Sequence, residues 1–245
     1  MKQLLSIDTN AKTHKGQKWG YMTGILYLAP SDLSGYQVCP MAEKAKCIDG
    51  CLNLAGRGAF NSVQQARINK TKQFFENRQQ FMLDLVGSIE ALIRKAKREG
   101  FYPTVRLNGT SDIKWEHVRF DYTFMHGKIR EVTIFELFPE LQFYDYTKIP
   151  NRKNLPDNYD VTFSYSGANT FAKYAKQAIN NGERVAVVFR NKADIPNHFA
   201  GLECIGGDDS DLRFLEPKNK VVALYAKGRA KKDTSGFVEI GRAHV

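Results

Sequence analysis

Cys39, Cys47 and Cys51 gather three of the chain's four thiols into thirteen residues, a density at which cysteines usually share one task. Three thiols cannot pair off completely, and the spacing C-x7-C-x3-C matches neither the C-x2-C knuckles of structural zinc nor a disulfide framework. Soft thiolates select zinc, copper(I) or iron-sulfur centres, and three of them fit a [4Fe-4S] cluster with one iron left open. Two plainer readings stand beside this one: reduced thiols with no ligand, and zinc completed by a histidine. No two histidines stand at metal spacing, but His117, His126 or His198 could complete such a site in three dimensions. Cys204 is remote in sequence and flanked by apolar residues, so it reads as a structural cysteine.

The elements that must position these thiols are legible on either side. The apolar run Gly24 to Pro30 reads as the end of a buried strand covering about Gly20 to Leu28, and a long helical pattern follows the cysteines. The cluster therefore sits on a loop at a strand's C-terminal end, where α/β proteins keep their sites. A second strand, Tyr102 to Leu107, runs into the polar turn Asn108-Gly109-Thr110-Ser111-Asp112 at the same kind of position. Here Arg106 could pair with a carboxylate or phosphate, Asp112 could accept from a ribose or ammonium group, and Asn108 and Ser111 could add neutral hydrogen bonds. The plain alternative is a loop held by Asx and Ser turns. Tyr144, Asp145, Ser164 and Ser166 occupy analogous strand ends. The acidic stretch Gly206 to Asp211 lacks the ligand spacing of a calcium loop and reads as a solvated turn.

Residues 1 to 20 are polar and read as an extended lead-in, with Thr9 to Thr13 able to fold over the site. Ala55-Gly56-Arg57-Gly58 leads to a helix from an N-cap at Ser62 through Asn77. Between Gln79 and Arg98, Phe81, Met82, Leu85, Ile89, Leu92, Ile93 and Ala96 recur at i+3 and i+4, the stripe of a core helix, closed by Glu99-Gly100. The alternation continues with a helical segment over Val132 to Phe138 and strands at Gln142 to Tyr146 and Val161 to Ser166. A helix at Thr170 to Asn180 and strands at Arg184 to Phe189, Leu202 to Ile205 and Val221 to Tyr225 complete it. Strands alternating with helices imply parallel pairing through right-handed crossovers. The expected fold is one α/β domain over residues 1–239, a partial, open β/α barrel of about six mostly parallel strands. Ile240 to Val245 is what ATC-GGA-AGA-GCA-CAC-GTC encodes, the start of a common sequencing adapter, and is set aside as a non-native tail.

With 245 residues and 42% hydrophobic composition the chain can bury a full core. The sequence has no apolar run of membrane-spanning length, and its start lacks the apolar core of a secretory signal. Cytoplasmic residence, in a reducing compartment, is the expectation. A formal charge of +10 raises a nucleic-acid or anionic-substrate hypothesis. Basic residues concentrate at Lys12, Lys15 and Lys18, at Arg67, Lys70 and Lys72, at Arg94 to Arg98, and at Lys227, Arg229, Lys231 and Lys232. Solvated faces and helix C-termini account for the third group without invoking a ligand.

Several collinear motifs carry a resemblance: Val38-Cys39-Pro40, Cys47-x3-Cys51-Leu52, Ala55-Gly56-Arg57-Gly58, Val63-Gln64-Gln65-Ala66-Arg67, Arg106-Leu107-Asn108-Gly109-Thr110-Ser111-Asp112 and Lys232-Asp233-Thr234-Ser235-Gly236-Phe237. From about Leu4 to Val238 the chain resembles the bacteriophage gene product 88 domain family, which implies phage or prophage origin, and hence a bacterial host cell, with little direct biochemistry. In organisation it is also similar to the radical S-adenosylmethionine enzymes, which carry three cysteines on the loop after the first strand of a partial barrel. Their usual spacing is C-x3-C-x2-C, from which this chain departs. That likeness implies a [4Fe-4S] cluster on Cys39, Cys47 and Cys51 and S-adenosyl-L-methionine on the open iron. Cluster reduction would then cleave the cofactor's sulfonium to a 5′-deoxyadenosyl radical, with Arg106, Asn108, Ser111 and Asp112 near the cofactor and an external reductant as partner. The competing expectation is a zinc-stabilised module that binds nucleic acid without catalysis. A metal-free nucleic-acid-processing enzyme would need clustered carboxylates, and the sequence has none beyond the acidic turn.

Overall fold

The computed structural model of the protein describes residues 3–7, 11–54 and 56–240, with the backbone alone at 11–13, 54 and 126. In chain order the elements are β1 (Leu5–Ile7), α1 (Ala11–Gln17), β2 (Tyr21–Leu26), α2 (Asn61–Glu76), α3 (Arg78–Glu99), β3 (Tyr102–Arg106), β4 (Arg119–Thr123) and β5 (Ile129–Thr133). They continue with α4 (Ile134–Leu137), β6 (Gln142–Thr147), β7 (Tyr159–Ser164), α5 (Ala172–Asn180), β8 (Val185–Phe189), β9 (His198–Phe199), β10 (Leu202–Gly206) and β11 (Val221–Tyr225). Segments 8–10 and 241–245, which include part of the expected covering segment and most of the set-aside tail, lie outside the described residues.

Nine strands form one sheet in the order β1-β2-β3-β6-β7-β8-β11-β10-β9, and β4 and β5 form a separate antiparallel hairpin. The seven strands from β2 to β10 are mutually parallel, while β1 and β9 run antiparallel at the two edges. The expected count of about six is therefore too low. Two very short edge strands, of three and two residues, carry no periodic signal, and β1 lies in what read as a lead-in.

The sheet alternates as its strands must. On one face Met22, Leu26, Val105 and Phe143 pack with Phe81, Met82, Leu85, Ile89 and Leu92 of α3 in the larger core. Each such side chain contributes about 1.5–3 kcal/mol on burial, so this stripe holds α3. The exposed Glu90–Arg94 pair at 3.8 Å adds only about 0.3–0.5 kcal/mol. Gly100 ends α3 in the left-handed conformation at φ 76°, as expected for a helix-terminating glycine. Further along the same sheet, Phe163, Val185, Val187 and Val221 pack with Phe171, Ala175 and Ala178 around α5. From β2 to β11 the parallel strands follow chain order, and right-handed crossovers then place their helices on one face.

The opposite face is polar and aromatic. It carries Thr23, Thr104, Arg106, Tyr144 and Tyr146, and residues 207–216 cover it: Phe214 meets the rings of Tyr21 and Tyr144 at 5.3 Å, and Asp211 meets Arg106. This corrects the reading of Gly206 to Asp211 as a solvated turn, because Asp211 is buried against the sheet. The helix expected over Val132 to Phe138 is also corrected. Val132 and Thr133 end β5, and a capping box, Thr133 Oγ1 accepting from Glu136 N at 3.2 Å, starts α4 only at Ile134. The N-cap of α2 is Phe60 rather than Ser62, and it offers no side-chain cap.

Candidate functional site

The C-terminal ends of the parallel strands meet at one end of the sheet, and the cysteine loop lies across them. After β3, the backbone N–H of Asp112 donates to Val38 O at 2.8 Å, and the Cys39 thiol donates to Thr110 O at 3.7 Å. After β7, Ser166 Oγ donates to Ala45 O at 2.7 Å. After β11, Ser235 Oγ donates to Lys46 O at 3.1 Å, and Gly50 lies against the Phe237 ring so closely that an added Cβ would sit 3.0 Å from it. The thiols are thus held by three separate strand ends rather than by their own loop alone.

Lys148, one residue past β6, is the hub of this arrangement. Its Nζ donates to Ser164 O at 3.1 Å and Ser164 Oγ at 3.2 Å and lies 4.9 Å from the Phe237 ring centre. Burial pushes its pKa down from the ordinary lysine value, while Cys47, Asp112, Cys39 and Cys51 all pull it back up. Asp112 is buried beside it, with Oδ1 accepting from Thr147 Oγ1 and Oδ2 from Lys148 N, both at 2.8 Å. Burial raises the Asp112 pKa, and those two hydrogen bonds with Arg152 and Lys148 oppose the shift.

Burial likewise pushes the three thiols up, Cys39 to about 12, so they rest protonated at neutral pH when no ligand is bound. Each nevertheless has a backbone N–H that favours its thiolate: Ser31 for Cys39, Cys47 for itself and Asn53 for Cys51. Lys148 favours the thiolates of Cys47 and Cys51, and Arg67 adds to the latter. Arg67 is fixed by donating to Asn53 O at 2.8 Å, with its guanidinium 4.9 Å from the Tyr27 ring centre.

The four residues expected to line the same mouth separate into three roles. Asp112 stands among the thiols. Asn108 is buried, and its Oδ1 accepts from Ser111 Oγ at 2.9 Å and from Ile113 N and Trp115 Nε1 at 3.0 Å, so Asn108 and Ser111 hold the loop. Arg106 points to the polar face, donating to Asp211 Oδ2 at 2.5 Å with Tyr146 Oη on the other carboxylate oxygen at 3.1 Å. Burial works against the Arg106 charge, but Asp211, the flanking tyrosines and Asp145 hold its pKa above the ordinary value. Asp145 anchors the loop from below, accepting from Asn108 N at 2.8 Å and Tyr159 Oη at 3.0 Å.

Cys204 lies away from the thiol cluster, packed against the core around α5. His117 and His198 are exposed. Among the described residues no three His, Cys, Asp or Glu side chains stand close enough to share a single ion. Sequence reasoning missed Lys148 and Arg67 as parts of the site. The one available signal for Lys148 was its place immediately after the third parallel strand.

Two cavities flank the loop. One, of about 120 Å³, lies between the loop and the ends of β8 and β11, with Leu52, Val188, Leu224 and Phe237 as apolar lining and Lys15, Asp208 and Lys227 among the polar groups. The other, of about 250 Å³, is polar and is lined by Asp49, Gly50, Arg229, Lys232, Asp233, Thr234 and Ser235. Among the described residues no helix is long and apolar enough to cross a membrane.

A family model described as Gene product 88 matches residues 3–240. No curated protein and no solved structure matches the chain.

Proposed function

This chain belongs to the gene product 88 family, and we propose that in it Cys39, Cys47 and Cys51 hold a [4Fe-4S] cluster at the C-terminal end of an open β/α barrel wall, in a protein of phage or prophage origin. The observation that carries the reading is one loop with three thiols tied to three strand ends, with Lys148 and Asp112 beside it; burial keeps the thiols protonated, and backbone N–H groups and Lys148 offset part of that. Hydrogen bonds to sulfur and a compensating cation are the levers by which proteins hold such clusters. The sequential order of the parallel strands supports the barrel wall, because it leaves one face free of crossover helices.

The proposed activity is of the radical S-adenosylmethionine type, on a nucleotide or nucleic-acid substrate. When bound, cluster and cofactor together would supply one-electron chemistry. The chain's own parts have simpler tasks. Lys148 balances the thiolates' charge, Asp112 fixes the Lys148 backbone, and Phe237 packs against Gly50 and Lys148.

Anaerobic purification with iron, acid-labile sulfide and zinc analysis tests this. Iron and sulfide in equal amounts, lost in each single Cys→Ala variant and retained in Cys204→Ser, is the expected result. A perturbed paramagnetic spectrum on adding S-adenosyl-L-methionine to the reduced protein is expected as well. Stoichiometric zinc with no iron would overturn the cluster and leave the zinc-stabilised module as the reading. A reduced spectrum that ignores the cofactor would remove the radical chemistry.

A further inference from the structure

Six exposed cations stand on and beside the thiol loop: Lys173, Lys44, Lys46, Arg229, Lys231 and Lys232. They come from three segments that are distant in sequence and joined in the fold. Lys44 and Lys173 lie 5.6 and 5.0 Å from the same Tyr174 ring centre, and Thr170 Oγ1 donates to Lys44 O at 2.6 Å. The Ser235 hydroxyl links the loop at Lys46 O to the turn that carries Arg229, Lys231 and Lys232. That turn is fixed from beneath by Arg190, which donates to Lys231 O at 2.6 Å and to Asp233 O. Its backbone is therefore tied down while its three cationic side chains stay in solvent. None of the six makes an ion pair among the described residues, whereas Lys227 beside them is neutralised by Asp208 at 2.6 Å.

We infer that this rim is a docking track for the phosphodiester backbone of a nucleic acid, drawn past the thiol loop. The inference deepens the proposed function, on which it rests for the placing of the reacting group beside the strand. Within the three segments only Glu43 and Asp49 are exposed carboxylates, so the excess positive charge is local to the mouth as well as global. The polar cavity on the track sets Arg229 and Lys232 beside the Thr234 hydroxyl, with Asp49 and Asp233 also on its wall, so the cations that reach a phosphate are those that stand out on the rim. Ile48 and Leu52 stand exposed on the thiol loop next to it and offer apolar contact to bases, as single-strand binders do. Spaced cations along a line match repeating phosphates, and each one engaged releases counterions.

The test is fluorescence anisotropy with a short labelled single-stranded DNA of mixed sequence, across about 50 to 200 mM salt. The full chain carries either Arg229→Gln/Lys231→Gln/Lys232→Gln on the rim or Arg94→Gln/Lys97→Gln/Arg98→Gln on α3. The rim triple should weaken binding more than tenfold and flatten the salt slope by about 2, at about 0.7 per lost phosphate contact. Lys44→Gln/Lys46→Gln, on the other side of the cavity, should weaken binding in the same sense, and the α3 triple should leave it near the parent. Equal losses from rim and α3 variants, no binding at low salt, or binding to anionic vesicles but not to DNA would each overturn the inference. Melting temperatures of all variants should match the parent. The Cys39→Ala protein, lacking the cluster, should still bind DNA, so failure of the track and failure of the cluster are read separately.

Discussion

Replacing Asn108 by alanine should unfold the loop that joins β3 to the thiol site, and its cost can be worked from the hydrogen bonds. The side chain makes four: Oδ1 accepts from Ser111 Oγ, Ile113 N and Trp115 Nε1, and Nδ2 donates to Ile113 O at 2.9 Å. Alanine orphans all of them. The Ser111 hydroxyl can rotate to another acceptor, and Ile113 is only half-buried, so water recovers part of its loss. The Trp115 indole is fully buried and bears the whole penalty of an unmade bond, about 1–3 kcal/mol. With a smaller share for each Ile113 group, the sum is about 3–5 kcal/mol. For a chain of this size that corresponds to a fall in Tm of about 10 °C. Urea unfolding of the parent, Asn108→Ala, Trp115→Phe and the double variant measures it. Once Asn108 is gone, Trp115→Phe removes an already orphaned donor, so it should cost about 1–2 kcal/mol less in that background. A single-variant cost below about 1 kcal/mol, or an additive cycle, would refute the reasoning.

Gly109→Ala should destabilise the same loop by about 1–3 kcal/mol or more, since a Cβ there would lie 2.7 Å from Leu26 O, Ile25 Cγ2 and Tyr27 Cδ1 and force the loop off β2; a thermal melt reads it. Asp145, pushed up to about 7 chiefly by burial, binds a proton more tightly folded than unfolded, so its favourable contribution is full below about pH 4 and is lost as pH rises through 7. Urea midpoints of the parent should fall between pH 6 and 8, and Asp145→Asn should flatten that slope whatever its own cost. Cys39, raised to about 12 by burial, should react with iodoacetamide in the metal-free chain at a rate that still climbs at pH 10, whereas an ordinary thiol has levelled off by then; mass spectrometry of the labelled peptide distinguishes the two.

Local pattern accounts for the individual elements. The apolar stripe of α3 and the terminating Gly100 follow from a 3.6-residue period and a backbone conformation that only glycine adopts cheaply. The parallel strands were legible as apolar runs between helices, and the place of the cysteine loop at the strands' C-terminal ends was legible from the run that precedes it. Even the capping box that moves the start of α4 to Ile134 was present as Thr133-x-x-Glu136 and was passed over. Tertiary structure alone decided which polar residues meet. Lys148 reaches the thiols because β6 lies next to β3 and β7 in the sheet, an order no local pattern records. Arg106 was expected to face a ligand, yet it faces Asp211, more than a hundred residues away, because residues 207–216 return over the polar face. A charged side chain on a strand is buried or solvated according to what the rest of the chain lays over it, and period-two alternation states only which face it is on.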